Sequence, residues 1–209
     1  VFGGSGFIGN HLVNSLCKLS CQIEIISRNP QKKKKKFFSG EPGQVSIKKI
    51  NDFSEKNIEN VLKGSDVVIN LIGILYETKK SKFYQTHVEI PKAISKVVKK
   101  LGIDTFIHLS ALKVEKSRFS EYANSKYEGE NEIKSIFPNV IILKPSVVFG
   151  KGDNFTNLFS KISAFSPALP LIGTPKISFK NYLPIIDFNF KVKFQPIYVG
   201  DLVKFLILT

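Results

Sequence analysis

The sequence is short of the residues that build disulfide scaffolds, metal sites and membrane spans. Its 209 residues contain two cysteines, no methionine and no tryptophan. Cys17 and Cys21 lie too close together, and too far from other soft ligands, to suggest a zinc site. We interpret them as free thiols in a reducing compartment. No apolar run reaches the ~20 residues that a transmembrane helix needs. The composition therefore favours a globular protein with neither a membrane span nor a resident metal.

Acidic residues are also scarce. Asp and Glu number 17 against 31 Lys and Arg, which gives a net charge of +14. Such a basic surface is able to meet nucleic acid, anionic lipid or an acidic protein. Apart from the run Lys32–Lys36 the lysines are dispersed, and biased codon usage produces the same pattern. We interpret the run as a solvated loop, with phosphate or lipid headgroups as the lesser alternative. A nucleic-acid function is not favoured.

Strand-like and helix-like segments alternate along the chain. Strands are predicted at CQIEIIS, VSIKKI, DVVINLIG, IDTFIHLSA and NVIILKPSVVFG. Helices are predicted after the opening glycines, from Ser54 to Leu62, from about Lys82 to Lys100 and at SEYANSKYEGENEIKSIF. Pro91 falls inside the third helix and predicts a kink or a break there. This alternation predicts an α/β fold, a doubly wound parallel sheet with helices on both faces.

The sequence begins and ends inside predicted elements. Only Val1 and Phe2 precede the first glycine, and DLVKFLILT is an apolar helical pattern without a C-cap. We expect a piece of a longer protein, truncated within the first strand and before the end of a C-terminal lobe. Residues 1–150 are predicted to form an NAD(P)-binding Rossmann-like domain. Residues 151–209 are predicted to start an incomplete substrate lobe.

The opening GGSGFIG indicates a phosphate-binding turn between a strand and a helix. Gly3 permits the tight turn, Gly6 lets the backbone approach a diphosphate, and Gly9 lets the helix pack close to the sheet. The free amides and the partial positive charge of the helix N-terminus attract the phosphates. A simple tight turn is the alternative, but the flanking strand and amphipathic helix favour dinucleotide binding.

The end of the second strand distinguishes the two nicotinamide dinucleotides. An acidic residue there accepts hydrogen bonds from the ribose of NAD, but this sequence has Ser27 and Arg28. Arginine attracts a 2′-phosphate, so NADP(H) is favoured and NAD(H) stays open. Asp52, after the third strand, is placed to touch the adenine. Gly73, after the fourth, leaves room for the cofactor.

Three residues form a candidate catalytic set. Ser110 ends the fifth strand, and Tyr122 and Lys126 follow one helical turn apart. A lysine ammonium beside a tyrosine lowers the phenol pKa, which allows the tyrosine to exchange a proton with a substrate oxygen. Ser110 would hold that oxygen. A surface tyrosine and lysine at this common spacing is the alternative.

The sequence resembles the extended or atypical branch of the short-chain dehydrogenase/reductase superfamily. The resemblance lies in GGSGFIG, NLIG, HLSALKV, YANSK and ILKPSVVFG. It is closer still to the nucleotide-binding accessory subunits of respiratory complex I and their bacterial relatives, through VINLIGILYE, FYQTHVE, SEYANSKYEGE, FPNVIILKPSVVFGKGDNFTNLF, LPLIG and FQPIYVGDL. It covers nearly the whole chain.

The resemblance implies tight NADPH binding, a structural role on the membrane-side arm of complex I, and a link to ubiquinone metabolism. It implies a cytoplasmic protein or, in mitochondria, a peripheral protein on the matrix side of the inner membrane. The cofactor residues that it implies are Gly3, Ser5, Gly6, Phe7, Ile8, Gly9, Arg28, Asp52, Leu71, Gly73, Lys126, Pro145 and Ser146.

Two features depart from the family pattern. Pro91 stands where a small residue is expected, and KISFKNYLPIIDFNFKVKF is longer than the expected connection. That apolar segment is a hairpin, a partner-facing surface, or a loop with its own small core. Three functions remain open: a cofactor-holding accessory protein, an active reductase, epimerase or dehydratase acting on a sugar nucleotide or similar substrate, and, more remotely, an RNA-binding module. Substrate, turnover and oligomeric state are not predicted.

Overall fold

The part of the chain that the computed structural model describes comprises residues 1–30, 39–116, 120–153, 174–180, 183–189 and 195–209. The lysine run Lys32–Lys36 lies outside the described residues. The chain divides into two compact units, Val1–Pro145 with Val199–Thr209, and Ser146–Tyr198. The border at residue 150 between a cofactor domain and a substrate lobe stays a prediction, because these units are defined by packing and not by ligands.

The helices and strands follow the predicted alternation. The helices are α1 (Phe7–Leu16), α2 (Glu55–Leu62), α3 (Ile90–Leu101, after a π-helical turn at Gln85–Glu89), α4 (Glu121–Ile136) and α5 (Val199–Leu208). The strands are β1 (Ile23–Ser27), β2 (Val45–Lys49), β3 (Val67–Asn70), β4 (Thr105–Leu109), β5 (Ile141–Leu143), β6 (Val148–Phe149), β7 (Thr174–Lys180), β8 (Leu183–Asn189) and β9 (Ile197–Tyr198).

The sheet of the first unit is parallel and centred on Phe2. Strand β1 pairs with β2, and β4 pairs with both β3 and β5, all in parallel. Phe2 joins these two groups: its amide donates to the Ile69 carbonyl at 2.9 Å, its carbonyl accepts from Leu71 at 3.0 Å, and it bridges Ile26 on its other side. The order β2-β1-Phe2-β3-β4-β5 confirms the predicted doubly wound arrangement.

Neighbouring residues of β1 enter opposite core layers, because successive side chains of a strand point to opposite faces. Ile26 belongs to a cluster with Ile58 of α2 and Ile94 of α3. Ile25 packs with Val13 of α1 on the other face. Both faces of the sheet are therefore covered by helices, as the continuous apolar run of the strands predicts.

The last predicted strand of the sheet is split, which corrects the sequence-based expectation. Strand β5 pairs with β4, whereas β6 pairs with β9 in the second unit. Pro145 lies between them and has no amide to continue a ladder. The backbone amide of Ile197 instead bonds the Val147 carbonyl at 2.9 Å. One apolar run thus serves two sheets.

The predicted interruption at Pro91 takes the form of a π-helical turn. Helical backbone angles continue from Tyr84 through Ile90, and Pro91 occupies the first turn of α3. The Ile90 amide donates to the Gln85 carbonyl, so helical hydrogen bonding continues across the junction, and Pro91 follows as a residue without an amide hydrogen. The helix is therefore neither broken nor ended.

In the second unit, β7 and β8 pair in antiparallel register, with Lys180 opposite Leu183. This confirms the hairpin alternative for the long apolar segment after Pro175. No helix in the described ranges is both long and apolar enough to cross a membrane.

Candidate dinucleotide-binding site

The glycine loop is crowded at two glycines and open at the third. Gly3 has a φ of +74°, and a Cβ there would lie 2.9 Å from the Leu71 carbonyl carbon. A Cβ on Gly9 would overlap the Gly3 carbonyl and Gly4, so Gly9 permits packing against the loop and not, as predicted, against the sheet. A Cβ on Gly6 would meet only the Gly3 oxygen, at 3.2 Å. The space beside Gly6 is where a ligand can approach the backbone.

Gly6 is also the N-cap of α1, and it provides no side-chain cap hydrogen bond. The first turn of the helix contains no acidic residue. The Gly6 amide bonds the Gly3 carbonyl at 2.9 Å, which closes the loop under the helix start. The Phe7 ring packs edge-on against His11, at a centroid distance of 5.5 Å, and Ile8 follows it in the first turn of α1. Amides at such a helix start are suited to phosphate.

The strand end that selects between nicotinamide dinucleotides lies where the sequence places it. Strand β1 ends at Ser27, which is buried, and Arg28 is the first residue beyond it and is exposed. The Ser27 hydroxyl accepts from the Asn29 amide at 3.3 Å, which holds the turn. Arg28 is therefore free of the sheet, with its guanidinium available to a phosphate group.

Asp52 has a structural function in addition to its predicted contact with adenine. Its carboxylate accepts from the Ser54 amide at 2.9 Å and from the Asn57 side chain at 2.8 Å. Hydrogen bonds from Ser54 and Asn57 lower the pKa of Asp52. Ser54 is the N-cap of α2, but its hydroxyl makes no cap hydrogen bond, contrary to the predicted cap. Asp52 instead organises the start of α2.

The residues after β3 and β5 lie at the carboxyl edge of the sheet. Leu71 is hydrogen-bonded to Phe2, and Gly73 is exposed beside Lys126, whose Nζ would lie 3.2 Å from a Cβ on Gly73. The Pro145 carbonyl accepts from the Leu112 amide at 2.9 Å. Ser146, the last predicted cofactor residue, belongs to the second unit.

Lys126 is buried at this edge, with 4% of its surface exposed. Its Nζ donates to the Leu109 carbonyl at 3.1 Å. Burial lowers the pKa of Lys126 to about 8, and the charge of Glu130 opposes that shift. The helix start that places it is capped by Ser120, whose hydroxyl accepts from Ala123 at 3.3 Å.

Tyr122 does not show the predicted activation by Lys126. Burial raises the pKa of the Tyr122 phenol, so the expectation of a lowered value is wrong for this structure. The physical reason is that Lys126 bonds a backbone carbonyl and that the phenol ring is surrounded by Phe83 and His87, at centroid distances of 5.9 and 5.4 Å. Desolvation is the cause of the shift, because burial disfavours the charged phenolate.

Ser110 is engaged with a carboxylate that the sequence analysis missed. Its hydroxyl donates to Glu130 at 2.5 Å, and the other carboxylate oxygen accepts from Lys144 at 2.7 Å. Burial lowers the pKa of Lys144, but its hydrogen bond and its attraction to Glu130 outweigh that effect, so the pKa rises. Glu130 follows Lys126 by four residues on the same helix face, a spacing that signals its proximity.

His87 is the second functional candidate that the sequence analysis missed. It lies in the π-helical turn, and its Nε2 accepts from the Ile74 amide at 3.1 Å. Its Nδ1 is 2.9 Å from the Ser125 hydroxyl, which donates to the Tyr122 carbonyl at 2.9 Å. Burial, followed by the charge of Lys126, lowers the pKa of His87 to about 3. A neutral ring thus connects three segments of the site.

A second buried histidine adjoins this group. The His108 Nδ1 lies 3.1 Å from the Asn70 amide nitrogen, and the Asn70 oxygen accepts from Ile72. Asn70 therefore donates to His108, which puts the imidazole proton on Nε2. Among the described atoms that Nε2 is buried without a hydrogen-bond partner. Burial lowers the pKa of His108 well below its usual range.

The arrangement combines an anion-binding helix start with a buried polar network at one edge of the sheet. Glycine backbone, Arg28 and Lys126 are suited to a ligand with phosphates and ribose hydroxyls. No group of three metal-ligating side chains occurs in the described ranges. The site can bind and orient a nucleotide, and its Tyr122 is protonated at neutral pH because its pKa is raised.

Comparison with known proteins agrees with this geometry. Residues 1–150 match the NmrA-like family. The chain is 33% identical to mouse NADH dehydrogenase [ubiquinone] 1 alpha subcomplex subunit 9, mitochondrial, over 98% of this chain and 50% of the relative. It is 24% identical to ceramide reductase of Caulobacter vibrioides, over 83% of this chain and 53% of that enzyme. The chain spans about half the length of these curated relatives.

The fold is shared with solved structures of low sequence identity. The Bordetella bronchiseptica enzyme WbmH, in complex with NAD⁺, superposes with a TM-score of 0.73 at 12% identity, over 99% of this chain and 69% of that one. Fold, motifs and family match lead to one classification. The chain belongs to the NmrA-like family, in agreement with its resemblance to the extended or atypical branch of the short-chain dehydrogenase/reductase superfamily.

Proposed function

We propose that the protein holds a nicotinamide dinucleotide, with NADPH favoured, as an accessory component of respiratory complex I. The observation that supports this most directly is the glycine loop, which is filled at Gly3 and Gly9 and open at Gly6. An uncapped helix start beside that opening provides amides for a diphosphate. A side chain at Gly6 would occupy the same space.

The remaining contacts of the proposed cofactor follow from the order of the strands. The exposed Arg28 would bind the 2′-phosphate, and Asp52 lies near the adenine end. Leu71, Gly73 and Lys126 would face the ribose and the nicotinamide. Ser5 and Pro145 would complete the pocket. When bound, the dinucleotide supplies hydride-transfer chemistry, and the protein residues bind and orient it.

The association with complex I is proposed from the mitochondrial relatives, and it implies a matrix-side position on the inner membrane. The hydrogen bonding of the buried network supports cofactor binding without catalysis over catalytic turnover. The Ser110 proton is directed to Glu130, and the raised pKa of Tyr122 disfavours the phenolate. A phenol with a raised pKa is a poor acceptor for a substrate proton, and a Ser110 hydroxyl bonded to Glu130 does not donate to a substrate oxygen.

The direct test is the nucleotide content of the full-length protein. We expect gentle purification to yield about one nicotinamide dinucleotide per chain by mass spectrometry of the denatured supernatant. After removal of the nucleotide, calorimetry should show NADPH binding. Absence of any co-purifying nucleotide together with no calorimetric binding would contradict the proposal. Co-purification with complex I subunits tests the partner separately.

The second candidate is an active reductase, epimerase or dehydratase. The adjacency of Tyr122 and Lys126 on α4, and the sequence similarity to a ceramide reductase, favour it. Its test is NADPH oxidation by the full-length protein across quinone, sugar-nucleotide and lipid ketone substrates. Turnover that disappears in Tyr122→Phe, while NADPH affinity is kept, would establish the enzyme and exclude a purely structural role.

A further inference from the structure

The connection between β3 and the π-helical turn, residues 74–84 and here termed the hairpin, turns tightly at Thr78–Ser81 and ends in the first helical residues, Phe83 and Tyr84. Its tip is closed by two backbone hydrogen bonds between Thr78 and Ser81, at 3.0 and 3.4 Å. Below the tip, the Glu77 carboxylate accepts from the Phe83 amide at 2.8 Å and from Lys82 Nζ at 2.9 Å. These bonds fix the hairpin from within, so its exposed side chains have a defined arrangement.

Both ends of the hairpin are attached to His87. The Ile74 amide donates to the imidazole at 3.1 Å, and the Phe83 ring stacks on it at a centroid distance of 5.5 Å. The hairpin is therefore anchored to the buried network of the site, and it projects from the carboxyl edge of the sheet.

The outer surface of the hairpin is apolar and aromatic. Leu75 is 77% exposed, Tyr76 73% and Tyr84 54%. Leu112, which follows the neighbouring strand β4 at the same sheet edge, is 39% exposed. Single exposed apolar residues are ordinary on soluble proteins, but several in one short segment indicate a contact surface.

The same hairpin is positively charged. Its sequence ILYETKKSKFY contains three lysines and one glutamate. Glu77 is already bound to Lys82, so the charges of Lys79 and Lys80 at the tip have no acidic neighbour within the hairpin. The whole chain adds a net charge of +14. A partner surface that complements this hairpin therefore has negative charge on its outside and an apolar layer beneath that charge.

We propose that the 74–84 hairpin docks on an anionic lipid surface. Tyrosine and lysine both have an apolar body and a polar end, which suits them to the boundary between headgroups and acyl chains. Leu75 and the two tyrosines enter that boundary, while Lys79 and Lys80 contact lipid phosphates. An anionic bilayer offers both properties at once. The proposal rests on the proposed function only for the presence of a membrane nearby, and its test is independent of nucleotide.

The experiment measures partition of the full-length protein onto vesicles. We compare vesicles of phosphatidylglycerol mixed equally with phosphatidylcholine against vesicles of phosphatidylcholine alone, by co-sedimentation at low and physiological salt. We expect binding to the anionic vesicles that salt weakens. The double variant Lys79→Glu/Lys80→Glu should bind at least about tenfold more weakly. Leu75→Ser/Tyr76→Ser should also lose binding.

Matched variants elsewhere separate the hairpin from general charge and hydrophobicity. Lys56→Glu/Lys63→Glu makes the same charge change near α2, and Phe205→Ser/Leu208→Ser removes exposed apolar side chains of α5. Both should lose much less binding than their hairpin counterparts. Circular dichroism spectra and thermal unfolding midpoints should match those of the wild type in all four variants, which shows that each is folded. If a variant fails this check, Lys79→Gln/Lys80→Gln should show a smaller loss of vesicle binding in the same direction.

Three results would overturn the proposal: no binding of the wild type to anionic vesicles, equal binding to both vesicle types, or equal losses in hairpin and control variants. The first would favour a protein partner for the hairpin, and the third would move lipid contact elsewhere in the chain. If the wild type binds no NADPH, the proposed function is contradicted, but the conclusion on lipid binding is unaffected.

Discussion

Ser110, at the end of β4, donates a 2.5 Å hydrogen bond to Glu130 on α4, and both residues are buried. The second oxygen of Glu130 accepts from Lys144, one residue beyond β5, at 2.7 Å. One carboxylate therefore joins two strands and a helix below the candidate site. Removal of Glu130 would leave the buried Ser110 hydroxyl without its acceptor, whereas Lys144 would keep the Glu115 carboxylate at 3.4 Å.

The first prediction concerns the stability contributed by this carboxylate. Glu130→Ala should lower the free energy of unfolding by about 1–3 kcal/mol, because the buried Ser110 hydroxyl loses its acceptor and Lys144 loses its shorter ion pair. Glu132→Ala, on the same helix, removes a surface pair with Lys92 and should lower the free energy of unfolding much less. Urea unfolding of both variants measures the difference. Equal losses would mean that the buried network contributes no more than a surface pair.

The glycine loop allows fold and ligand binding to be separated. Gly9→Ala should destabilise the protein, because the new methyl group would overlap the Gly3 carbonyl and Gly4. Gly6→Ala has a φ of −75° and one close neighbour at 3.2 Å, so it should fold nearly normally but bind NADPH at least about tenfold more weakly. Thermal unfolding and calorimetry measure the two effects. A Gly6→Ala protein with wild-type affinity would place the diphosphate elsewhere.

Arg28 is expected to select the phosphorylated cofactor. Arg28→Asp should weaken NADPH binding and shift the preference towards NADH, because a carboxylate repels the 2′-phosphate and accepts from ribose hydroxyls. Parallel titrations with both nucleotides measure the ratio of affinities. Lys63→Asp, a matched change at an exposed residue after α2, should leave the ratio of the NADPH and NADH affinities unchanged. Equal loss for both cofactors would show that Arg28 does not contact the 2′-phosphate.

The buried histidine predicts a specific acid sensitivity. The pKa of His87 is about 3 in the folded protein against an ordinary value of 6.5, so between these values the unfolded chain binds the extra proton. Stability should therefore fall as pH decreases from about 6.5, by about 1.4 kcal/mol per pH unit from this group. In His87→Gln, the free energy of unfolding measured with urea should depend less on pH between about pH 4 and about pH 6. Parallel profiles would contradict the assignment.

Local patterns predicted the part of the site that depends on backbone. The glycines, the strand end at Arg28 and the helical spacing of Tyr122 and Lys126 are all features of consecutive residues, and the structure places them as expected. These features follow from conformational preference and helical repeat, which need no knowledge of distant contacts. Their roles in binding remain predictions.

The partners across the fold could not be read in the same way. Glu130 meets Ser110 and Lys144 only after β4, β5 and α4 have packed, and His87 reaches Ser125 from a different helix. The raised pKa of Tyr122 is likewise a result of burial, which its spacing from Lys126 does not reveal. In contrast, Pro145 was a local signal for the break between β5 and β6. The continuous apolar run around it nevertheless predicted a single strand.

The π-helical turn at Gln85–Glu89 has a consequence for how this protein tolerates change. Such a turn accommodates one more residue than an ordinary helix, and each residue of a helix corresponds to a rotation of about 100°. Deleting a single amino acid there would leave a regular helix. It would also rotate His87 away from its hydrogen-bond partners, Ile74 and Ser125. Sequence length in this segment is therefore under tighter constraint than sequence identity, and gaps in homologous chains should avoid it.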